Sequence, residues 1–444
     1  MLNLAKTVWL LTCPVLFGRL VQTLANLIDI AMVGSLGAAA TAAVGMGRQL
    51  TLFSELSMHG VVVGAMTLTA HFIGERSPQK VSVTSRQSLV LGALISLLLG
   101  GLGALFSRHL LILLGAEGEV LALGTGYTRI YFAGLVFMMT SYLPWALLQG
   151  AGDTVTAFYL LVLINVLHVV LDYLFIYGVG ILPPMGVNGA ALGTIVSRLV
   201  GMFVGLAVLY SRRSRVALLP GTSYRPDWRM MWRILRIGVP MSIGGMVTSG
   251  AALLFLRILA ATPAATVGLA AYAIGLRLGR VSFFAASAFS VAALSLVGQN
   301  LGDGQVEEAY RSGWIAGGLG VFFMSTAGLI LFFLATPLVD LFTNDPLVIR
   351  VGADYLRIVA LAQPFSALTQ VIGGALQGAG DTKPLLHYAV ITQWLISLPL
   401  AYILIFPLGM GVSGAWYAIA ASTIVQGLLV ASRFQSGSWK KVRV

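Results

Sequence analysis

Long apolar stretches, broken by glycine, proline and small clusters of charge, fill this chain, and none shows the strict alternation of a half-buried strand. They resolve into twelve helical segments, each reaching the ~20 residues that cross a bilayer. The first six run roughly 8–33, 41–73, 87–114, 120–149, 155–178 and 187–210. The second six run about 235–260, 265–301, 312–335, 347–377, 384–406 and 411–433. The two sets are copies. Leu148-Gln149-Gly150-Ala151-Gly152-Asp153-Thr154 returns as Leu376-Gln377-Gly378-Ala379-Gly380-Asp381-Thr382, an offset of 228 residues. The same offset lays Gly74-Glu75 on Gly302-Asp303 and Gly47 on Gly275. Gly186-Val187-Asn188-Gly189-Ala190 meets Gly411-Val412-Ser413-Gly414-Ala415 three residues out of step. A duplicated unit with an even number of spans gives two parallel halves. The expected fold is all-α: a polytopic membrane protein of twelve transmembrane helices in two pseudo-symmetric six-helix bundles. The expected divisions are a lobe at 1–210, a cytoplasmic linker at 211–234, a second lobe at 235–433 and a basic tail at 434–444.

Composition agrees with lipid as the main solvent. Of 444 residues, 58% are hydrophobic and 9% charged, against about 25% charged in soluble domains. A lone cysteine, Cys13, excludes internal disulfides and thiolate metal clusters. The formal charge of +12 does not point to nucleic acid, because it gathers in particular loops. Seventeen of the 27 basic residues fall at the termini, in loops after even-numbered spans, and in the linker. They include Arg212, Arg213, Arg215, Arg225, Arg229, Arg233 and Arg236 of the linker and Lys440, Lys441 and Arg443 of the tail. Only Arg108, Arg129, Arg350 and Arg357 lie towards the other side, so both termini are expected in the cytoplasm.

Ionisable groups inside the spans change the picture from architecture to chemistry, because an acid at mid-bilayer costs ~2.5–3.5 kcal/mol on insertion scales. In the first span Arg19, Gln22, Asn26 and Asp29 follow at steps of three, four and three, one polar stripe on an apolar helix. In the fifth, Asn165, His168 and Asp172 repeat the pattern. Two acids on two stripes of one lobe point to a shared cavity. The structural alternative pairs each acid with a nearby arginine, Asp29 with Arg19 for instance. Arg48, Glu55 and His59 share a face of the second span, where a structural Arg–Glu pair is expected. Asp354 and Arg357, three apart, suit a local helix pair. The second lobe lacks both acids, since Asp29 falls on Arg257 and Asp172 on Leu400. Arg257, Arg277 and Arg280 there either neutralise acids, recognise anionic groups, snorkel, or bind carbonyls.

The repeated Gly-Ala-Gly-Asp-Thr reads as a tight turn in which Asp153 or Asp381 caps the next helix. It is no phosphate cradle, because no Gly-Lys-Ser/Thr follows. Catalytic signatures, a Walker motif and metal-ligand arrays are absent from the sequence, so neither an enzyme nor an ATP-driven pump is expected, and no cofactor.

These residues resemble the multidrug and toxic compound extrusion transporters over nearly the whole chain, short of the last ten residues. The likeness is carried by Pro14, by Ile28-Asp29-Ile30-Ala31-Met32-Val33-Gly34-Ser35-Leu36-Gly37, by Val297-Gly298-Gln299-Asn300-Leu301-Gly302 and by the repeated Gln-Gly-Ala-Gly-Asp-Thr. Leu171-Asp172 and Gly189-Ala190-Ala191 fit as well. The resemblance implies export of organic cations or amphipathic compounds in exchange for H⁺ or Na⁺. Asp29 is similar to the family's first-span acid, Gln22 to its polar neighbour, and Asp172 to the fifth-span acid of the prokaryotic proton-coupled branch. Thr194 is similar to the sixth-span hydroxyl near it. His168 departs from the usual asparagine, and the seventh span after Pro240 lacks another branch's glutamate.

The expected mechanism is antiport. A proton, or Na⁺, taken up at Asp29/Asp172 frees bound substrate, and the lobes rock about the linker. Gln22, Asn26, Asn165, His168 and Thr194 line the polar cavity. No resident metal and no nucleic acid are expected; the partners are small amphipathic molecules and the lipid of a bacterial or archaeal plasma (inner) membrane, around a monomer. The rival is a flippase for lipid-linked saccharides from the same superfamily.

Overall fold

The structure, a computed structural model, describes all residues except Met1, Ile181, Arg212, Arg213, Thr222 and Arg443. Three of the basic residues weighed above, Arg212, Arg213 and Arg443, therefore lie outside the described residues. Helices follow the apolar stretches closely: α1 Leu2–Gly34, α2 Ala38–Gly74, α3 Pro78–Leu113, α4 Gly118–Ala133, α5 Leu135–Gly150, α6 Thr154–Tyr177 and α7 Gly186–Tyr210. Then come α8 Trp228–Ala260, α9 Ala265–Gly302, α10 Val306–Phe333, the short α11 Ala335–Asp340, α12 Pro346–Ala367 and α13 Gly373–Gly378. The set ends with α14 Lys383–Val390, α15 Leu398–Ile405 and α16 Val412–Gln435. Wider π turns at Leu368–Ile372 and Ile391–Ser397 join α12 to α13 and α14 to α15 into single spans. Among the described residues eleven helical spans are long and apolar enough to cross a membrane, and the α4–α5 pair, bent by 50°, brings the count to twelve if it is one span. The bend sits at Gly134, where a Cβ would strike Ile195 of α7.

The chain divides into two compact units, Cys13–Ser242 and Met1–Thr12 with Ile243–Val444. In the first unit, α2 and α5 form the interior: Leu68, Phe72, Leu143, Leu147 and Leu148 are buried. By contrast α3 turns Leu94, Leu97, Leu98, Leu102 and Leu105 outward, the mark of a lipid-facing surface. The linker is not a loose tether. Arg86 of α3 donates to the Leu219 carbonyl at 2.7 Å, and Gln87 both donates to the Arg225 carbonyl and accepts from the Asp227 amide, each at 2.9 Å. Val216 and Leu218 are buried beneath it. These anchors explain why α3 starts at Pro78 instead of 87. Asp227 caps α8, accepting from the Arg229 and Met230 amides, so that helix starts seven residues before the expected 235.

In the second unit, Val8, Phe289, Ala293, Leu376, Phe434 and Trp439 share one core. A second core gathers Phe255, Tyr355, Ala401 and Trp416. The basic tail contributes Phe434 and Trp439 to the first of these cores. Trp439 is fully buried, stacks on Phe434 at 4.8 Å, and donates from Nε1 to the Phe434 carbonyl at 2.8 Å.

The duplication survives at atomic detail. A Cβ on Gly150 would strike the Met66 carbonyl, and one on Gly378 the Leu294 carbonyl; a Cβ on Gly47 would meet Tyr127, and one on Gly275 would meet Tyr355. Each pair is its twin shifted by the same sequence offset, so both units use glycine where helices cross closely. In both heptapeptides the second glycine is left-handed, Gly152 at φ 77° and Gly380 at φ 78°. Asp153 and Asp381 each donate a backbone bond back to Leu148 and Leu376 at 2.9 Å, a shared helix-ending turn. The aspartates then part company. Asp153 caps α6 through the Thr156 amide at 3.2 Å, as expected. Asp381 makes no cap bond among the described residues; it takes two bonds from Arg433, at 2.8 and 3.3 Å, because α16 brings a guanidinium within reach.

Candidate functional site

Three helices of the Cys13–Ser242 unit position a buried cluster. α1 contributes Asp29, α6 contributes His168 and Asp172 one turn apart, and α7 contributes Thr194. Donor atoms of Asp29, His168 and Asp172 all lie within 4.8 Å of one another. His168 Nε2 stands 3.0 Å from both Thr194 Oγ1 and Asp172 Oδ2. Thr194 gives its own proton to the Ala190 carbonyl at 3.0 Å, so its oxygen is left to accept from the imidazole. With that proton aimed at Thr194, both oxygens of Asp172 lack a hydrogen-bond donor among the described residues, although the side chain is wholly buried. Gly193 makes the space, since a Cβ there would collide with Asp172 Oδ1. The far end of α1 is pinned beside the cluster: Ser35 and Tyr177 hydroxyls bond at 2.7 Å, and Tyr177 also donates to the Met32 carbonyl.

Asp29 has an arginine partner, but not Arg19. Arg48 Nη2 lies 2.5 Å from Asp29 Oδ2. Arg19, ten residues back and so ~15 Å along the axis, bonds Gln22 Oε1 at 3.3 Å instead. The Arg48–Glu55 pair expected on α2 is therefore not made; the two residues are two turns apart, and Arg48 finds the nearer acid. Glu55 accepts from the Tyr131 hydroxyl at 3.3 Å. The Arg48 side chain is 42% exposed, against 7% for Asp29. A recess of about 130 Å³ bounded by Thr41, Val44 and Gly45 opens onto the pair. Asp354 and Arg357 do form their local pair, at 3.5 Å.

Beyond the cluster, a cavity of about 310 Å³ is walled by Arg19, Gln22, Glu55, His59, Tyr142, Trp145 and Arg198, with Met58, Met139, Leu161 and Ile164 between them. The same three helices serve both places: Gln22 and Asp29 on α1, Ile164 and His168 on α6, and Arg198 and Thr194 on α7. Separations of seven, four and four residues put each pair on one helix face. Of the other stripe residues, Asn165 is buried but spends its amide on the Leu161 carbonyl at 2.8 Å. Asn26 is exposed and lies in neither cavity wall. In the other unit Arg257, Arg277 and Arg280 are exposed, and among the described residues they make no ion pair or hydrogen bond. Arg198, Tyr131, Tyr142 and Trp145 escaped the sequence reading. Arg198 had a signal, one turn beyond Thr194, while the aromatics sit in apolar runs that give none.

Comparison with known proteins agrees with this frame. The MatE family model matches residues 14–174 and 240–403, one stretch in each half. A probable multidrug resistance protein NorM of Thermotoga maritima is 32% identical over 437 residues, covering 97% of this chain and 92% of that protein. A probable NorM of Rhodopseudomonas palustris is 30% identical over 442 residues, covering 97% and 91%. A crystal structure of a MATE protein in the bent conformation superposes with a TM-score of 0.89 at 25% identity, covering 97% of this chain and 95% of that one. The chain belongs to the MatE family, the multidrug and toxic compound extrusion transporters.

Proposed function

We propose that this protein is a secondary active efflux antiporter that expels amphipathic small molecules in exchange for a cation bound at Asp29 and Asp172. The observation that carries the reading is the cluster itself: two carboxyl groups and an imidazole within 4.8 Å, one carboxyl without a hydrogen-bond donor among the described residues, in a lipid-solvated chain. Two carboxylates so close repel, and one is desolvated; a proton or a monovalent cation between them removes both penalties. A proton is the better fit. His168 stands where Na⁺ would call for a hard oxygen donor, and imidazole itself carries protons. The cavity volume suits a drug-sized molecule at the lower end of the usual range. Because α1, α6 and α7 each touch both cluster and cavity, loading the cluster is felt in the cavity wall through rigid helices. Supporting the efflux reading, the relatives carry multidrug resistance names over almost the full length. Both termini belong in the cytoplasm on the charge bias, with the chain in the plasma membrane.

The test uses purified protein in lipid vesicles with an imposed pH gradient and a fluorescent amphipathic probe. Asp29→Asn and Asp172→Asn should each abolish gradient-driven probe movement while leaving the protein folded. Coupled movement at near-parental rate in either variant removes that carboxyl group from the mechanism. Repeating the assay with a Na⁺ gradient at fixed pH separates the two ions.

A further inference from the structure

Two guanidinium groups, Arg19 and Arg198, share the wall of the 310 Å³ cavity with a single carboxylate, Glu55. Among the described residues neither Arg19 nor Arg198 forms an ion pair, whereas Arg48 pairs with Asp29, Lys80 with Glu75 and His168 with Asp172. Glu55, the one acid in the wall, accepts the Tyr131 hydroxyl at one of its two oxygens, at 3.3 Å. Arg19 makes a single long bond, to Gln22, and its Nε is buried without an acceptor. Both guanidinium groups lie over aromatic rings, Arg19 at 5.8 Å from the Trp145 centroid and Arg198 at 4.7 Å from Tyr142. Stacking of this kind occupies the planar face and leaves the N–H edge for a ligand. With two arginines, one glutamate and a neutral histidine, the wall carries a formal charge of +1.

We infer that the cavity selects amphipathic compounds with an aromatic body and an anionic group, a carboxylate or sulfonate, held by Arg19 and Arg198. The inference rests on the efflux reading above and narrows its substrate class. The aromatic body packs on Met58 and Met139, soft side chains that adapt to varied shapes, while the anion accepts charge-assisted hydrogen bonds from the guanidinium edges. A cation of the same shape meets two like charges and finds only Glu55 as a counter-ion. Arg198 also stands one turn from Thr194, so an anion drawn to it sits next to the His168–Asp172 end of the coupling cluster.

The experiment compares 2-naphthoate with 2-naphthylmethylammonium, matched in size and opposite in charge. Binding to the full-length protein is read by equilibrium dialysis in detergent, and movement in vesicles with a pH gradient. Naphthoate should bind at least about tenfold more tightly, the scale of one charge-assisted bond. Arg19→Gln and Arg198→Gln should each erase about tenfold of that preference without weakening the ammonium compound. Arg198→Lys, which keeps the charge, should retain most of it. Equal or tighter binding of the ammonium compound, or equal loss for both probes in the glutamine variants, overturns the inference. If the ammonium compound alone is moved, efflux stands and the anion selectivity falls. If naphthoate binds with the expected preference and no gradient moves either probe, the site assignment stands and the efflux reading falls.

Discussion

Arg48→Gln withdraws the cation that the fold itself supplies to the carboxyl cluster. Arg48 Nη2 contacts Asp29 at 2.5 Å, and the donor atoms of Asp29 and Asp172 lie within 4.8 Å. Two unit charges 4.8 Å apart interact by about 3.5 kcal/mol at an effective dielectric constant near 20. The Arg48 side chain is 42% exposed, so water already screens part of its field, and its removal is felt as on the order of 2 kcal/mol. Without it the carboxylates face each other with only His168 for company, and an external cation relieves their repulsion. Binding of the coupling ion should therefore tighten about 30-fold, at 1.4 kcal/mol per decade, and exchange should slow because the ion leaves with difficulty. The assay titrates ion uptake by purified protein in vesicles, with Na⁺ at fixed pH and with H⁺ in the absence of Na⁺. The matching cycle repeats Arg48→Gln on an Asp29→Asn background, where the change should shrink to less than about threefold. Equal effects on both backgrounds, or no effect on the parent, would mean that this ion pair does not govern occupancy of the cluster.

Three other outcomes follow from the packing. Gly150→Ala and Gly378→Ala each push a methyl group at a carbonyl of the facing helix and should cost about 1–3 kcal/mol, seen as lower melting temperatures in detergent. Gly101→Ala, with open space beside it, should be neutral or stabilising by up to about 1 kcal/mol. Trp439→Ala empties a fully buried site and should cost about 3–5 kcal/mol; an unchanged melting temperature would show that the terminal segment is dispensable. Because Cys13 is the single cysteine, a Cys13→Ser, Ser436→Cys variant reports the side of the C-terminus. An impermeant maleimide should label it only after the membrane is opened, and labelling of intact cells would reverse the assigned orientation.

The spans and the repeat were legible because lipid imposes long apolar helices and duplication leaves identical letters. Asp29 and Asp172 were legible for a related reason: polar residues at steps of three and four on an apolar helix must face protein or water. The partner of Asp29 was not, since periodicity along one helix sees Arg19 but not a residue of the next. The three-residue turn between α1 and α2, Ser35 to Gly37, is the clue that α2 returns antiparallel and brings Arg48 near. Helix starts were misplaced at Pro78 to Arg86 and at Trp228 to Ile234 because polar residues there read as loop. Tertiary anchors from the linker and the Asp227 cap make them helical. Trp439 sits in a basic tail, where charge masks a ring that the core needs.

The two halves share their joints and differ in what they enclose. Glycine crossings and the left-handed turn recur at both places, so the mechanical frame was copied intact. Around the cluster the copies diverge by substitution at matched positions. Asp172 corresponds to Leu400, Val44 to Tyr272, and Ala191, by the shorter offset of the sixth span, to Trp416. In the second unit Trp416 is fully buried, stacked 6.0 Å from Tyr272 and edge-on at 4.8 Å to Tyr355. Tyr355 itself matches Tyr127 of the first unit. Where one half keeps alanine, valine and an acid, and so leaves room for carboxyl groups and a recess, the other fills the same ground with rings. A buried stack of rings has no carboxylate oxygen to offer a cation, so on the antiport reading an ion-binding role falls to the half that keeps Asp29 and Asp172.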